Sequence, residues 1–437
     1  MNRRLACLAA WLGTVLAAQP GEVWTLEQAL DFALAHNPDT HLAQQRIAAA
    51  QAGLEQANAA FWPRVQLQSG YIRSDNPMTV FGSILNQHAY SSSLNFNDVP
   101  DVDNFNARGL VSVPLYTGGR NVAGRDAARA NKTAAQQENG AVCNALAFEV
   151  ARGFYASLKT REFIAAAVAA VSSFETNLAL ANKRLDAGTL LKSDVLDMEV
   201  RLAQAREDLV RARNAQALAQ RMLRNLLGLD QGDFIVSDSV PSVSAPPSRD
   251  FSRRPELAAA RARAEAAQAQ VRGAKGGRKP RVNAFGSLDY DYGTRFDNDG
   301  ESYTAGVMAQ WDLWDGNLTR ARVREASAGL EAALEEERKL RLAIDFEVEE
   351  ARLNLDAANE RLFVTGKVVA QAAESTELLR ARFEQGLALS TSLIDAETAL
   401  VAARVHRAEA EADQRIAIAA LRKALAWPQL DSQPTAK

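Results

Sequence analysis

Thiols and imidazoles are almost missing from this chain, with two cysteines and four histidines in 437 residues. That leaves little material for a soft-metal site, and no metal or cofactor is expected. Charge of one sign is missing too. The 50 Lys+Arg and 53 Asp+Glu leave a net charge of −3, with no broad basic field for nucleic acid. Proline is scarce at 13 residues, and beyond the N-terminus no run reaches about 18 uninterrupted apolar residues, so no ordinary membrane-spanning helix is expected. No Ser-His-Asp arrangement or useful metal-ligand spacing appears, so no catalytic residue is assigned and no enzyme is expected. His36 and His41 lie off the four-residue spacing of a helical metal pair, and Asn37-Pro38 breaks the helix between them. The basic, glycine-rich stretch 273–280 lacks the Lys-Ser/Thr ending of a phosphate loop and reads as a helix end before a strand.

What the chain has in abundance is alanine, which favours long helices packed closely through small side chains. Its length allows two or three ordinary domains of about 100–200 residues each. Residues 1–18 read as a signal peptide: Arg3 and Arg4 are positive, Leu5 to Leu16 are apolar, and Val15-Leu16-Ala17 and Ala18 offer cleavage positions. Leu5-Ala6-Cys7 resembles a lipoprotein box, but it stands before the apolar region and is rejected as an anchor. Cys143 is then alone, and no intramolecular disulfide can form.

An internal duplication organises the rest. Pro38 and Pro63 recur 217 positions later as Pro255 and Pro280, in matching surroundings. Gly118, Arg184, Gly188, Asp197 and Glu199 recur 198 positions later as Gly316, Arg382, Gly386, Asp395 and Glu397. One insertion of about 19 residues in the first copy reconciles the two displacements. The first copy spans 19–229, with strands at 64–74 and 104–116 and long helices over 121–228. A polar, proline-broken linker at 230–252 is expected to be irregular. The second copy spans 253–427, with strands at 281–292 and 302–314 and long helices over 320–426. A tail at 428–437 follows.

The four strands alternate with period two. Val65, Leu67 and Tyr71 oppose Gln66 and Gln68; Val282, Ala284, Leu288, Tyr290 and Tyr292 oppose Asn283, Ser287, Asp289 and Asp291. Runs of about ten residues suit tilted strands crossing a bilayer. Trp62, Tyr116, Trp311 and Trp314 fall at or near the helix-side strand ends, where an aromatic girdle meets outer-membrane lipid. A water-soluble sandwich shows the same alternation, and the signal peptide and strand lengths favour lipid. Four strands cannot close a barrel, so several copies must share one wall.

The helices are too long for a globule. Residues 121–185 and 320–383 lack proline, and each would span on the order of 95 Å. Apolar or small residues step by four and three from Ile344 through Val348, Ala351 and Leu355 to Phe383, and again 198 positions earlier from Leu146 to Leu185. A period of about 3.5 residues sustained this far is a coiled-coil seam. A fibrous rod is the competing reading. The reversals at Gly188 and Gly386, and the strands at the other helix ends, favour a conduit.

Trp24-Thr25-Leu26-Glu27-Gln28-Ala29-Leu30 with Asn37-Pro38, Phe61-Trp62-Pro63-Arg64-Val65, PLYTGGR at 114–120, RRPEL at 253–257 and the two glycine-containing hairpin tips together resemble TolC-like outer-membrane factors over nearly the whole mature chain. The resemblance implies a mostly α fold with membrane β. Three protomers would form a twelve-stranded outer-membrane barrel continuous with a periplasmic tunnel of coiled-coil hairpins, ringed by an equatorial belt to which 230–252 would belong. The implied partners are two further copies, a periplasmic adaptor that docks at the tips (Gly188, Thr189, Gly386, Leu387) and an inner-membrane pump or exporter.

Asp194, Asp197 and Asp395 match positions where family members place gate and constriction acids, which repeat into carboxylate rings around a trimer axis. Acids at a helix start, complementing its dipole, are the competing reading. Ser392 stands where a further constriction acid would be. Phe383 replaces a gate tyrosine and Ala388 an arginine, so closure must rest on packing. Residues 74–104 hold the insertion, expected to be a long outward loop, either a ligand contact or a partly closing lid. Three functions stay open: an efflux duct for small amphiphiles or metal ions, the outer-membrane exit of a type I protein secretion system, and a coiled-coil structural or adaptor protein without a pore.

Overall fold

A computed structural model describes residues 22–95, 97–232, 234–239 and 241–431; the signal-peptide reading at 1–18 lies outside them. The chain forms two units. The helical unit takes the described residues up to 45, 137–258 and those from 339 onwards, and the sheet unit takes 46–136 and 259–338.

In the helical unit a short strand, β1 (Glu22–Trp24), leads into α1 (Leu26–His36). Thr25 caps that helix: its hydroxyl accepts from Gln28 N while the Gln28 side chain returns to the Thr25 N–H, so two orphan donors are satisfied. Asn37 ends it, and α2 (Pro38–Ala59) starts on a proline whose missing N–H would be unpaired there anyway. The long helices are α4 (Arg120–Asp186), α5 (Lys192–Leu227), α7 (Leu318–Glu384) and α8 (Ser390–Ala424). At 67 residues each, α4 and α7 are about 100 Å long. Every seam position from Ile344 to Phe383, and every one from Leu146 to Leu185, is buried or half-buried. The 3.5-residue pattern therefore marks the face each helix packs. α4 also holds an 18-residue window of mean hydropathy 1.5, of which 28% is buried; among its large apolar side chains Val122 and Val168 are the exposed ones.

The linker is not wholly irregular, which corrects the sequence reading. Phe234–Val236 forms β4 and pairs in parallel with β1, Trp24 opposite Val236. Trp24, Phe234 and Val236 then join Leu26, Val150, Phe154, Leu223 and Leu227 in one core cluster. A three-residue strand bears no periodic signal, and its own buried side chains, Phe234 and Val236, hold it in place.

The sheet unit carries most of α2, β2 (Arg64–Ser74), α3 (Pro77–Asn86), β3 (Val102–Tyr116), most of α6 (Pro255–Lys275), β5 (Arg281–Gly293), β6 (Asn298–Gln310) and the first turns of α4 and α7. The strands are antiparallel in the order β2-β3-β5-β6. The last strand sits four residues earlier at each end than 302–314. Trp311 leaves the ladder to donate its indole N–H to Arg278 O at 3.0 Å, and Asp315 caps α7 by accepting from Thr319 N at 2.8 Å. The insertion is not a plain loop either: it contains α3, started by Asn76, whose side chain accepts from Met78 N and Thr79 N, with Pro77 at the first helical position.

Candidate functional site: a two-faced sheet and a pair of hairpin tips

Residues opposite one another in an antiparallel ladder share a face. The register therefore sorts the whole sheet. Leu67, Gly109, Leu288 and Tyr303 stand in one row, and Tyr71, Phe105 and Tyr292 in another on the same side. Leu67, Tyr71, Leu288 and Tyr303 are each more than half exposed. The opposite face is mostly polar, with Leu110, Phe285 and Met308 as apolar exceptions: Gln68, Arg108, Asp289 and Ser302 form one row and Asn106 and Asp291 the next. Arg108 pairs with Asp289, and Asn104 and Asn106 donate to Asp291 at 2.6 and 3.1 Å. One side of the sheet suits hydrocarbon, the other water. Among the described residues the edges β2 and β6 have no further strand beside them.

Tyr116 closes β3 opposite Val282, next to the helix-side end of the sheet. Trp62 stands two residues before β2, after the α2 turn, while Trp311 and Trp314 follow β6. All four are exposed, Trp62 by 71% and Trp314 by 77%.

The tips are built by one local device used twice. After α4, Gly188 takes φ 72°. Its N–H donates to Leu185 O at 2.8 Å, and Thr189 N donates to Arg184 O at 2.9 Å. After α7, Gly386 takes φ 78°, with Gly386 N bonded to Phe383 O and Leu387 N to Arg382 O. Both are Schellman ends with glycine where an L side chain would be strained. Gly188, Thr189, Gly386 and Leu387 are all exposed.

Of the acids, Asp194 is half-buried at the start of α5. It accepts from Leu191 N at 3.3 Å and from Ser390 Oγ at 2.8 Å, so it joins the two hairpins. Asp197 and Asp395 are exposed, and Ser392 is half-buried on α8. Phe383 is not at a surface. It is 0% exposed, packed with Val195, Met198, Leu393 and Ile394.

The residues that clasp the tips carried no motif. The Arg184 guanidinium lies 4.9 Å from the Phe383 ring centroid and donates to Phe383 O at 2.9 Å. Further along, Glu397 is buried and accepts from Arg380 at 2.5 Å and Asn177 at 3.3 Å, while Arg380 also donates to Ser173 Oγ. The one sequence signal was that Arg184 and Glu397 recur in register with Arg382 and Glu199, which marks a position without naming its partner.

An open groove of about 530 Å³ is lined by Phe163, Phe174, Ala205, Asp208, Val401 and His406. Thr398 also lines it, its hydroxyl donating to Ile394 O at 2.8 Å. Among the described residues no three His, Cys, Asp or Glu stand as a metal-binding group.

Residues 29–229 and 247–426 match the family described as outer membrane efflux protein. The chain is 28% identical over 378 residues to Protein CyaE of Bordetella pertussis, covering 83% of this chain and 71% of that one. To the pyoverdine export outer membrane protein OpmQ of Pseudomonas putida it is 24% identical over 425 residues, covering 94% and 87%. In fold it superposes on the outer membrane protein VceC of Vibrio cholerae with TM-score 0.78 at 21% identity, covering 92% of this chain and 95% of that one. A two-copy, mostly helical chain with a four-stranded sheet of two unlike faces thus meets a family match over most of its length: the chain belongs to the outer membrane efflux protein family and is a TolC-like exit channel of the outer membrane, its long helices lying in the periplasm.

Proposed function

We propose that three copies of this chain close their sheets into one twelve-stranded wall and form a passive duct. An inner-membrane pump would deliver small compounds to it through a periplasmic adaptor. The observation that carries this reading is the sheet, with an apolar face, a polar face and two open edges. In hydrocarbon each unpaired backbone group would cost several kcal/mol, so β2 of one copy needs β6 of the next. Trp62, Tyr116, Trp311 and Trp314 would sit at the lipid interface. The two Schellman tips would present Gly188, Thr189, Gly386 and Leu387 to the adaptor. Two relatives are named for pyoverdine export, which agrees with a small-compound cargo.

Asp197 and Asp395, exposed near the tips, would repeat around the axis as carboxylate rings that favour cations. Asp194 would take part through its bond to Ser390, and Phe383 would hold the tip by packing, with Ser392 beside it. The test is conductance in planar bilayers. The purified protein should form channels, and Asp395→Asn should lower cation preference and block by multivalent cations. Asp208→Asn, an exposed acid paired with Arg211 on α5, should change neither. A protein that forms no channels is a coiled-coil component without a pore. Channels indifferent to Asp395→Asn leave that acid as a helix-start residue.

A further inference from the structure

The insertion between β2 and β3 lies against the polar face of the sheet, at the end remote from the helices. Val80 and Ile84, one turn apart on α3, are both fully buried against Val102 of β3. Val102 shares its face with Asn104 and Asn106 because strand residues two apart point the same way. Gln87, which caps α3 and is 0% exposed, donates from Nε2 to Asp103 O and to Asn104 Oδ1, both at 2.8 Å. Asn104 in turn donates to Asp291, so the helix end is tied into the polar network. Gly293 and Gly300, two residues and nine residues beyond Asp291, have no Cβ because the space is filled: one added at Gly293 would meet the Gln87 side chain, and one at Gly300 the Asn86 carbonyl. A Schellman turn then ends α3, with His88 at φ 53°, His88 N on Leu85 O and Ala89 N on Ile84 O. The outer side of α3 is apolar and open: Met78 is 79% exposed and Leu85 43%. The segment is a seated helix, fixed on its inner side by two buried aliphatics and a buried amide.

We propose that α3 narrows the outer end of the duct and sets the size of what leaves it. The proposal rests on the reading in which the polar face lines the lumen. A helix about 10 Å across, laid on that face in each of three copies, takes a large share of the mouth of a twelve-stranded barrel. Twelve strands fall between the filled eight-stranded barrel and the open porins of sixteen. Met78 and Leu85 add an apolar ring at the narrowest point, which raises the barrier to water and small ions and favours amphiphilic cargo.

Neutral polymers of graded size, added on one side of a planar bilayer, report the narrowest stretch on that side. In the full-length channel, Val80→Asp with Ile84→Asp unseats α3, and the loop-side exclusion size should rise while the helix-side size stays unchanged. Replacing residues 77–90 with a Gly/Ser linker of equal length should give the same shift without new charge. Conversely, Met78→Cys in a Cys143→Ser background, treated with a bulky water-soluble thiol reagent, should lose about half or more of its conductance, as expected for a plug at a constriction. An unchanged loop-side size in both unseated variants, or a modified Met78→Cys channel that conducts fully, overturns the role of α3. Wild-type protein that forms no channel defeats the duct reading itself, and that outcome is distinct from both.

Discussion

At positions 188 and 386 the two copies reverse their helices through the same Schellman turn, and at 228 and 426 they end them through the same turn again. The bonds repeat: Gly228 N to Asn225 O and Leu229 N to Arg224 O in the first copy, Ala426 N to Lys423 O and Trp427 N to Arg422 O in the second. The side chains around them do not repeat. In the first copy φ 74° is taken by Gly228, in the second φ 52° by Ala426. Arg224 is half-buried and donates to one carbonyl, Gly232 O, at 3.3 Å. Arg422, its counterpart, is 1% exposed and donates to Ser244 O, Pro428 O and Asp431. Glu199 is exposed, whereas Glu397 is buried with Arg380 and Asn177. The backbone design was kept in both copies. The ionic bracing sits mostly in the second.

Removing that bracing should separate the copies most. Arg422→Ala strands three acceptors at the end of α8 and should cost about 3 kcal/mol, whereas Arg224→Ala, losing one partly exposed bond, should cost under about 1 kcal/mol. Denaturant unfolding followed by circular dichroism reads both, and equal losses would erase the asymmetry. Next comes Glu397→Ala, which leaves Asn177 without its acceptor in a buried setting and should cost about 2 kcal/mol. Its counterpart Glu199→Ala should stay within about 0.5 kcal/mol.

The turn residues offer a reciprocal exchange. Gly228→Ala must hold an L residue at positive φ, with its new Cβ 2.8 Å from His36 O, and should cost about 2 kcal/mol. Ala426→Gly relieves the same strain but frees the unfolded chain, so it should gain at most a few tenths of a kcal/mol.

The smallest expected effect is titratable. The Arg422 guanidinium holds the Asp431 carboxyl below its usual range. A carboxylate whose folded pKa is depressed stabilises the fold above its unfolded pKa of about 3.9 and loses that contribution as pH falls through the folded value. Asp431 is half exposed, so screening keeps the contribution to a fraction of a kcal/mol. Asp431→Asn should therefore be slightly less stable than wild type near neutral pH and equal to it below about pH 3. A gap that persists at low pH would assign the effect to packing.

Much of this was legible because the pattern was periodic. Alternation placed the faces of β2, β3, β5 and β6, the 3.5-residue step placed the seam, and paired glycines placed the tips. Short elements escaped. β4 is three residues of a polar linker, and α3 is ten residues with apolar side chains on both sides, Val80 and Ile84 inward and Met78 and Leu85 outward, so no single apolar face stands out; Asn76-Pro77 followed by the i, i+4 pair was the signal available. Ionic partners escaped for another reason. Glu199 and Glu397 occupy the same place in the repeat, and only tertiary packing decides which is buried. Arg422 and Asp431 pair across the end of α8, where no period operates.

The central claim is that the open edges of one copy are closed by others. It is tested most directly by the mass of the mature chain purified in detergent, measured by light scattering with the detergent contribution removed. The expected result is a single species of three times the chain mass. A monodisperse monomer that stays soluble without detergent would contradict it, because β2 and β6 would then be tolerating water as ordinary sheet edges.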